Sequence, residues 1–422
     1  MANPVLSQNV TKKVGSKVSE KWSKRDSQHL RRLVLTSQGL LHTQPFGRGL
    51  SGASNAINHL GYLQIDSISV VERAHNHVLF SRVPNFNAEM LNRLLSENEI
   101  FEYWSHAAAF LPIDDFRFSL PYKNAIKNGQ THWYKQPDRK LIGELVERIR
   151  LDGPIRSRDI EADQKKNGAG WWDWKPAKKA LEQLYMEGDL MVSRRDGFQK
   201  VYDLTERVLP DWVDKTPPSV DEFAEHLLDQ QLRSQGMASL KSATYLRRNP
   251  ELRKAMKAII ETKTHDKALE KYVLPNGMEF VVGAGAFDQR APRVLDRVQI
   301  LSPFDPVVIQ RDRLQGVFQF DYQIECYVPE AKRQYGYFCL PLLYQDRFTG
   351  RMDCKVHRKT KHLEIKVLFL ELDGIDYDRF LAAFSQSMMD FRTFQQCDDV
   401  SVSKVFPKHL KSKVHNALVH MN

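Results

Sequence analysis

The sequence predicts an α+β protein made of three tandem helix-turn-helix units with β wings, followed by a small antiparallel sheet or barrel. Helix-period apolar patterns dominate the first two thirds of the chain. Strand-like runs around Asp-Gly at 196–197 and Asn-Gly at 276–277 follow pairs of these helices and predict hairpins. From about residue 297 the apolar period changes to two, as in strands. The length of 422 residues indicates about two to four domains.

The N-terminal part of the chain divides into an arm and a first unit. Residues 1–25 are polar and basic, and we expect them to be disordered. Such an arm could touch phosphates, or it could be a leader without a role in binding. The first unit, residues 26–135, has short amphipathic helices, the second of which ends at Gly61. The aromatic run "IFEYWSHAAAFLP" that closes the unit is predicted to be extended.

The second unit, residues 136–214, has the clearest winged-helix pattern. Helix and turn are followed by a helix that opens at Pro176 and by the hairpin sequence "LMVSRRDGFQKVYDL". A helix of this kind can enter a major groove while the wing holds the flanking backbone. Winged helices also dock proteins, but the density of cations on both elements favours DNA. The outward basic residues are Lys175, Lys178, Lys179, Arg194, Arg195 and Lys200.

The third unit, residues 215–296, repeats the order of helices and hairpin after the linker "DKTPPSV". In the last region, residues 297–422, "FQFDYQIEC" and "GRMDCKVHR" alternate apolar and polar residues and are predicted to be strands. Arg351 and Lys355 lie on the polar face of the second run and are further candidates for DNA contact. Between the two runs, "PEAKRQ" predicts a hairpin tip with Lys332 and Arg333. This tip could probe a groove or could protect a sheet edge, and both interpretations stay open.

Composition and charge narrow the function classes. The net charge of +10 favours a polyanionic partner, and nucleic acid is the commonest one, although basic proteins can also carry solvated basic faces. The four cysteines lack the Cys-x-x-Cys spacing of zinc or redox sites, which indicates buried thiols in a reducing compartment. Without an apolar stretch of about 18 residues or a signal segment, we expect no membrane span and a cytoplasmic location, or a nuclear one if the organism has a nucleus.

Several catalytic signatures are missing. The sequence has no phosphate-binding loop, dinucleotide fingerprint, His-Glu-x-x-His motif or Gly-x-Ser-x-Gly elbow, and we expect neither a cofactor nor a metal. His75 and His77 have no further ligand nearby in sequence. A nuclease using Asp114, Asp115 or Asp353 with a metal is an alternative that sequence alone leaves open. The aromatic stretch "GWWDWKP" could stack on bases or could close the start of a helix.

The short stretch "GYLQID" carries the most chemically suggestive pair. Gln64 and Asp66 flank apolar Ile65, so an extended backbone projects both polar side chains from one face. An aspartate can align or deprotonate a water and stabilise positive charge on a sugar, while a glutamine can hold that water or the substrate. On spacing alone, a solvent-facing or capping role is the alternative.

A set of longer motifs resembles one enzyme family. The motifs "GYLQIDSI", "LFSRVPNF", "EYWSHAAAFLP", "GWWDWKP", "LSPFDPVV", "KRQYGYFCLPLL" and "GRMD" occur in the same order as in the YcaQ/AlkZ group of winged-helix DNA glycosylases, from about residue 27 to 400. The resemblance implies three winged helices on a C-terminal β-barrel, forming a C-shaped DNA clamp. It also implies that Gln64 and Asp66 are catalytic, with Asp at the second place as in the YcaQ branch.

The implied function is that of a monofunctional DNA glycosylase in DNA repair. Members of this group hydrolyse the N-glycosidic bond of N7-alkylated purines, and some unhook interstrand crosslinks. The expected partner is double-stranded DNA with alkylated or crosslinked bases, bound by a nucleoid-associated monomer. The alternative is a winged-helix transcriptional regulator without chemistry, because a fold does not fix a function.

Overall fold

The computed structural model describes residues 22–160 and 174–419, apart from the side chains of residues 174, 175 and 419. Most of the predicted basic arm, most of "GWWDWKP" and the side chain of Lys175 therefore lie outside the described residues. The helices are α1 (Lys24–Ser37), α2 (Gly49–Leu60), α3 (Ala74–Phe80), α4 (Glu89–Ser96), α5 (Leu120–Lys127), α6 (Arg139–Asp152), α7 (Trp174–Glu187), α8 (Thr205–Val208), α9 (Val220–Gln235), α10 (Leu240–Ala243), α11 (Pro250–His265), α12 (Arg311–Phe318), α13 (Tyr377–Phe394) and α14 (Lys411–Val419). The mixed α+β class is as predicted.

Strands form one small sheet, two hairpins and one larger sheet. They are β1 (Leu63–Gln64), β2 (Ile100–Trp104), β3 (Ala108–Pro112), β4 (Leu190–Asp196), β5 (Gln199–Leu204), β6 (Leu269–Val273), β7 (Glu279–Gly283), β8 (Val298–Ile300), β9 (Cys339–Tyr344), β10 (Arg347–His357), β11 (His362–Leu370) and β12 (Asp399–Phe406). The small sheet has the antiparallel order β1-β3-β2, with Gln64 opposite Ala109. The motif "IFEYWSHAAAFLP" thus forms the hairpin β2–β3.

The two predicted tight hairpins are confirmed. β4 pairs with β5 and β6 pairs with β7, both antiparallel. Gly197 and Gly277 have φ values of 62° and 82° in the turns, a left-handed conformation that glycine adopts without a steric penalty.

The predicted closed antiparallel barrel is wrong for the described residues. The five strands follow the order β12-β11-β10-β9-β8, which leaves β12 and β8 as the two edges of an open sheet. β12 runs parallel to β11, because helix α13 connects the two as a crossover. Phe380, Phe384 and Met388 of α13 are fully buried in the core cluster of this sheet. The helix thus covers the apolar face that a barrel would have turned inward.

The predicted strand "FQFDYQIEC" is also wrong. Its first residue ends α12, and the residues that follow run without strand pairing toward a turn. The alternation is nevertheless real, because Phe320 and Tyr322 are buried while Gln319 and Asp321 are exposed. "PEAKRQ" contains a short 3-10 turn, Glu330–Lys332, instead of the tip between two paired strands.

A fully buried ion pair connects the first helices to the segment between β8 of the larger sheet and α12. The guanidinium of Arg82 donates to both carboxylate oxygens of Asp305, at 2.7 and 2.8 Å, and both side chains are 0% exposed. Arg82 also donates to the backbone oxygen of Gln38 at 2.8 Å. These hydrogen bonds satisfy the buried charges, which would otherwise carry a large desolvation cost.

Candidate active site and DNA interface

Gln64 and Asp66 lie where the small sheet ends. Gln64 is the last residue of β1, and the backbone N–H of Ile65 donates to the oxygen of Ala108 at 2.8 Å. The backbone stays extended through this pairing, and Ile65 packs against the core of the first units. Both Gln64 and Asp66 are half-buried. A strand therefore forms where the sequence predicted one, but it ends at Gln64, before Asp66.

The residues after Asp66 are held on the larger sheet. The backbone oxygen of Val70 accepts from Val356 of β10 at 2.9 Å, and Arg358 donates to the oxygen of Ser69 at 2.9 Å. Val71 is buried in the core cluster of that sheet. The segment that carries Asp66 thus spans two sheets and is fixed at both ends.

Asp66 is a half-buried carboxylate that is held by one backbone hydrogen bond. Its Oδ1 accepts from the backbone N–H of Ile68 at 2.7 Å. Burial raises the pKa of Asp66, and this hydrogen bond opposes the rise. Among the residues that the structure describes, no lysine, arginine or histidine forms an ion pair with it. A half-buried anion of this kind would be stabilised by a positive charge placed against it.

Gln64 is oriented by a histidine that the sequence reasoning missed. The ring Nε2 of His106 lies 3.3 Å from Oε1 of Gln64. Burial lowers the pKa of His106 to about 4, with nearby Arg247 as a smaller cause, so the ring is neutral at pH 7. When Nε2 carries the proton it donates to Oε1, and the amide NH2 of Gln64 is left to donate to a water or a substrate.

Two distant parts of the chain complete the surroundings. The ring of Tyr245, between α10 and α11, lies 5.3 Å from the ring of His106. On the other side, burial and, as a smaller cause, the charge of Asp66 raise the pKa of the Cys326 thiol. The loop with Cys326 and the exposed Tyr327 therefore lies beside Asp66. Of these residues, only His106 could be found from the sequence, because it belongs to the motif "EYWSHAAAFLP". Tyr245 and Cys326 are brought to the site by tertiary packing.

The loop beside Asp66 is fixed by a buried carboxylate. Glu325 accepts from the backbone N–H groups of Gln334, Tyr335 and Gly336 at 2.7, 2.7 and 3.0 Å. Burial alone would raise the pKa of Glu325, but these three bonds and the charge of Arg333 together hold it below its ordinary value. These bonds join Glu325, before Tyr327, to residues 334–336 after it, and so fix the turn that carries Tyr327.

Two of the predicted DNA-binding cations on the wing have another role. Arg195 and Lys200 each lie 2.8 Å from the buried carboxylate of Glu102 on β2. The attraction of Lys200 and Arg195 lowers the pKa of Glu102 although burial alone would raise it. The side chain of Arg195 is nearly buried, so its guanidinium is committed to joining β4 to β2. Glu102 is far from Arg195 and Lys200 in sequence, so the local density of cations gave no indication of this pairing.

Arg351 is likewise unavailable to phosphates. Its side chain is only 3% exposed, donates to Glu371 at 3.0 Å and lies against the rings of Phe320 and Tyr335. The alternating pattern placed it on an outward face, but the residues before β9 cover that face. We therefore remove Arg351 and Arg195 from the proposed DNA contacts.

The other predicted cations remain candidates, and they include Lys200, whose side chain is 26% exposed although it pairs with Glu102. Lys178, Lys179, Arg194, Lys332 and Lys355 are exposed. Arg333 is half-buried, donates to the oxygen of Val328 at 2.9 Å and stacks over Tyr337. DNA contact by these residues stays a prediction.

The residues considered as metal ligands do not form one cluster, and several of them already have hydrogen-bond partners in the protein. Asp353 accepts from the backbone N–H groups of Tyr337 and Phe338 at 3.2 and 3.0 Å. Burial lowers the pKa of His75 to about 3 and of His77 to about 4, and His77 contacts the backbone oxygen of Ile300 at 2.8 Å. Across residues 22–160 and 174–419, no three such side chains cluster as metal ligands would. No helix in these ranges has the length and apolar character to cross a membrane.

Comparison with known proteins identifies the family of this chain. The sequence model of the family described as "DNA glycosylase AlkZ-like" matches residues 57–394, well over half of the chain. Among solved structures, the fold is similar to that of Streptomyces sahachiroi DNA glycosylase AlkZ, with a TM-score of 0.57 and 15% identity. The match covers 90% of this chain and 99% of that one. The chain therefore belongs to the AlkZ-like DNA glycosylase family, and it is a DNA glycosylase.

Proposed function

We propose that the enzyme hydrolyses the N-glycosidic bond of N7-alkylated purines in double-stranded DNA and unhooks interstrand crosslinks, with Gln64 and Asp66 as catalytic residues. The observation that carries this proposal is the half-buried carboxylate of Asp66, which has no cationic partner among the described residues. Family membership supports the enzyme over a regulator without chemistry.

The proposed chemistry follows from the lesion. Alkylation at N7 puts a positive charge on guanine and makes the base a good leaving group without protonation. The remaining barrier is positive charge on the sugar, as in glycoside hydrolysis. Asp66 stabilises the developing oxocarbenium ion and directs a water to C1′, while the amide NH2 of Gln64 holds that water or the deoxyribose. The product is an abasic site.

The proposed binding mode uses the helices and hairpins around the site. Helix pairs followed by β4–β5 and β6–β7 support winged-helix units at residues 136–214 and 215–296, after a first unit at 26–135. We propose that these units form a clamp whose exposed cations hold the phosphates. A crosslinked base cannot swing fully out of the duplex, so an open site suits such a lesion. The clamp works as a nucleoid-associated monomer in the cytoplasm.

The test is base excision from a duplex with a single N7-methylguanine, read as alkali-labile sites. Asp66→Asn and Gln64→Ala should each lower the single-turnover rate by about 100-fold or more. Asp115→Asn is the matched control, because Asp115 is also half-buried and burial raises its pKa to about 6. Full activity of Asp66→Asn would refute the assignment, and loss of activity in Asp115→Asn alone would favour the nuclease alternative.

The crosslink part of the proposal needs a separate substrate. A duplex with a nitrogen-mustard crosslink should yield separated strands on a denaturing gel after incubation and alkali treatment. Excision of N7-methylguanine without release of crosslinked strands would restrict the enzyme to monoadducts.

A further inference from the structure

Leu246 combines two unusual properties. It lies between α10 and α11, its side chain is 66% exposed, and its φ is +56°. Among the non-glycine residues of positive φ that the structure describes, it is the only one with an apolar side chain. A leucine in this left-handed conformation is strained, and such strain persists only where the surrounding structure enforces it.

Both neighbours of Leu246 are held against the site. The hydroxyl of Tyr245 donates to the oxygen of Ile309 at 3.4 Å, and its ring packs edge-on against His106. The guanidinium of Arg247 donates to Oγ of Ser105, in the turn before His106, at 3.4 Å. Leu246 is therefore exposed between two residues that contact Ser105 and His106, and His106 in turn contacts Gln64.

The surface that follows Leu246 carries more cations than acids, with Glu251 as the exposed acid between residues 248 and 254. Arg248, Arg253 and Lys254 are exposed, and none has a carboxylate partner among the residues described. Phosphates would be attracted to such a surface, and the apolar surface found between two rows of phosphates is the base stack. An exposed leucine inside a basic face thus matches the side chains that proteins insert between base steps.

We propose that Leu246 is a wedge that enters the base stack beside the lesion and opens the step whose glycosidic bond faces Asp66. This inference rests on the proposed function and adds a positioning residue to it. The left-handed backbone fixes the leucine in the projecting position before DNA arrives, so little freedom is lost on insertion.

The test uses Leu246→Gly, which removes the side chain and also relieves the backbone strain. We expect its urea unfolding midpoint to equal or exceed that of the wild type. The rate of excision from a fully paired duplex should fall about 10- to 100-fold, the ratio that corresponds to the free energy of burying one leucine side chain. With mismatches flanking the lesion, the loss should shrink to about twofold, since the step is already open. Leu246→Met should keep the paired-duplex rate.

A second readout does not depend on excision. A 2-aminopurine next to the lesion should brighten when Asp66→Asn protein binds, and should stay dark when Leu246→Gly is added to that variant. The matched control is Leu151→Gly, which removes an 81% exposed leucine from α6. Equal brightening with and without Leu246 would overturn the wedge, as would equal loss of activity on paired and mismatched duplexes. If wild type excises nothing, the proposed function fails, while the fluorescence still decides the wedge.

Discussion

Lys123 offers the sharpest test of how burial determines the protonation state of a side chain in this protein. It lies on α5, is buried, and has no carboxylate partner among the described residues. Its Nζ lies 3.8, 4.6 and 5.6 Å from the ring centroids of Phe116, Tyr103 and Phe101. Burial lowers the pKa of Lys123 to about 7 from the ordinary 10.5. The rings favour the charged form, with about 2 kcal/mol for a desolvated contact, so the two effects oppose each other.

The magnitude follows from linkage. Between pH 7 and 10.5 the unfolded chain holds a proton on Lys123 that the folded protein lacks, so stability rises with pH. The slope is about 1.4 kcal/mol per pH unit, or about 2.7 kcal/mol between pH 7.5 and 9.5. Below pH 7 both states are charged, and the cost of burying the charge is present in full.

The assay compares urea unfolding of wild type and Lys123→Met by tryptophan fluorescence at several pH values. Other groups titrate alike in both proteins and cancel in the difference. Lys123→Met should be the more stable protein at pH 7, and its advantage should decrease steadily up to pH 9.5. A difference that stays flat over this range would show that the aromatic rings keep the ammonium charged, and the reasoning from burial would be refuted.

Three further predictions concern the site and its supports. Because burial raises the pKa of Asp66, the excision rate should fall with decreasing pH at values above about 3.9, the ordinary aspartate pKa; a rate that is constant down to pH 4 would contradict this. Asp305→Ala should cost about 3–5 kcal/mol in urea unfolding, since it leaves a buried arginine unpaired; a loss below about 1 kcal/mol would speak against it. Arg195→Ala should lower the melting temperature without changing the salt slope of DNA binding, because it removes one of the two cations that pair with the buried Glu102. Arg194→Ala should reduce that slope by about one at unchanged stability, and the reverse pattern would reject both assignments.

The elements that the sequence predicted well are those with a local cause. The hairpin turns at Gly197 and Gly277 need a left-handed residue, and glycine supplies it wherever the strands go. In the run "FQFDYQIEC" burial alternates as predicted over residues 319–322 but not at Glu325, which is buried, and alternation only requires one buried side. Whether a neighbouring strand also pairs depends on distant residues. The prediction of a closed barrel was wrong for the same reason, because closure of the sheet depends on where α13 packs.

The site was predictable to the extent that it is local. Gln64 and Asp66 belong to one short segment, and their spacing is visible in the sequence. His106, Tyr245 and Cys326 reach the same place from three separate regions, and only the folded chain brings them together. Likewise, nothing in the local sequence around Arg195 identifies Glu102 as its partner.

The pair of Arg82 and Asp305 has a consequence for attempts to divide this enzyme. A fragment that ends at residue 135 would keep Gln64 and Asp66, but it would expose an arginine whose counter-ion is missing. The complementary fragment would carry a lone buried aspartate. We expect neither piece to fold without the other, and mixing the two should restore a single cooperative transition. The units predicted from the sequence would then fold and unfold together as one cooperative enzyme.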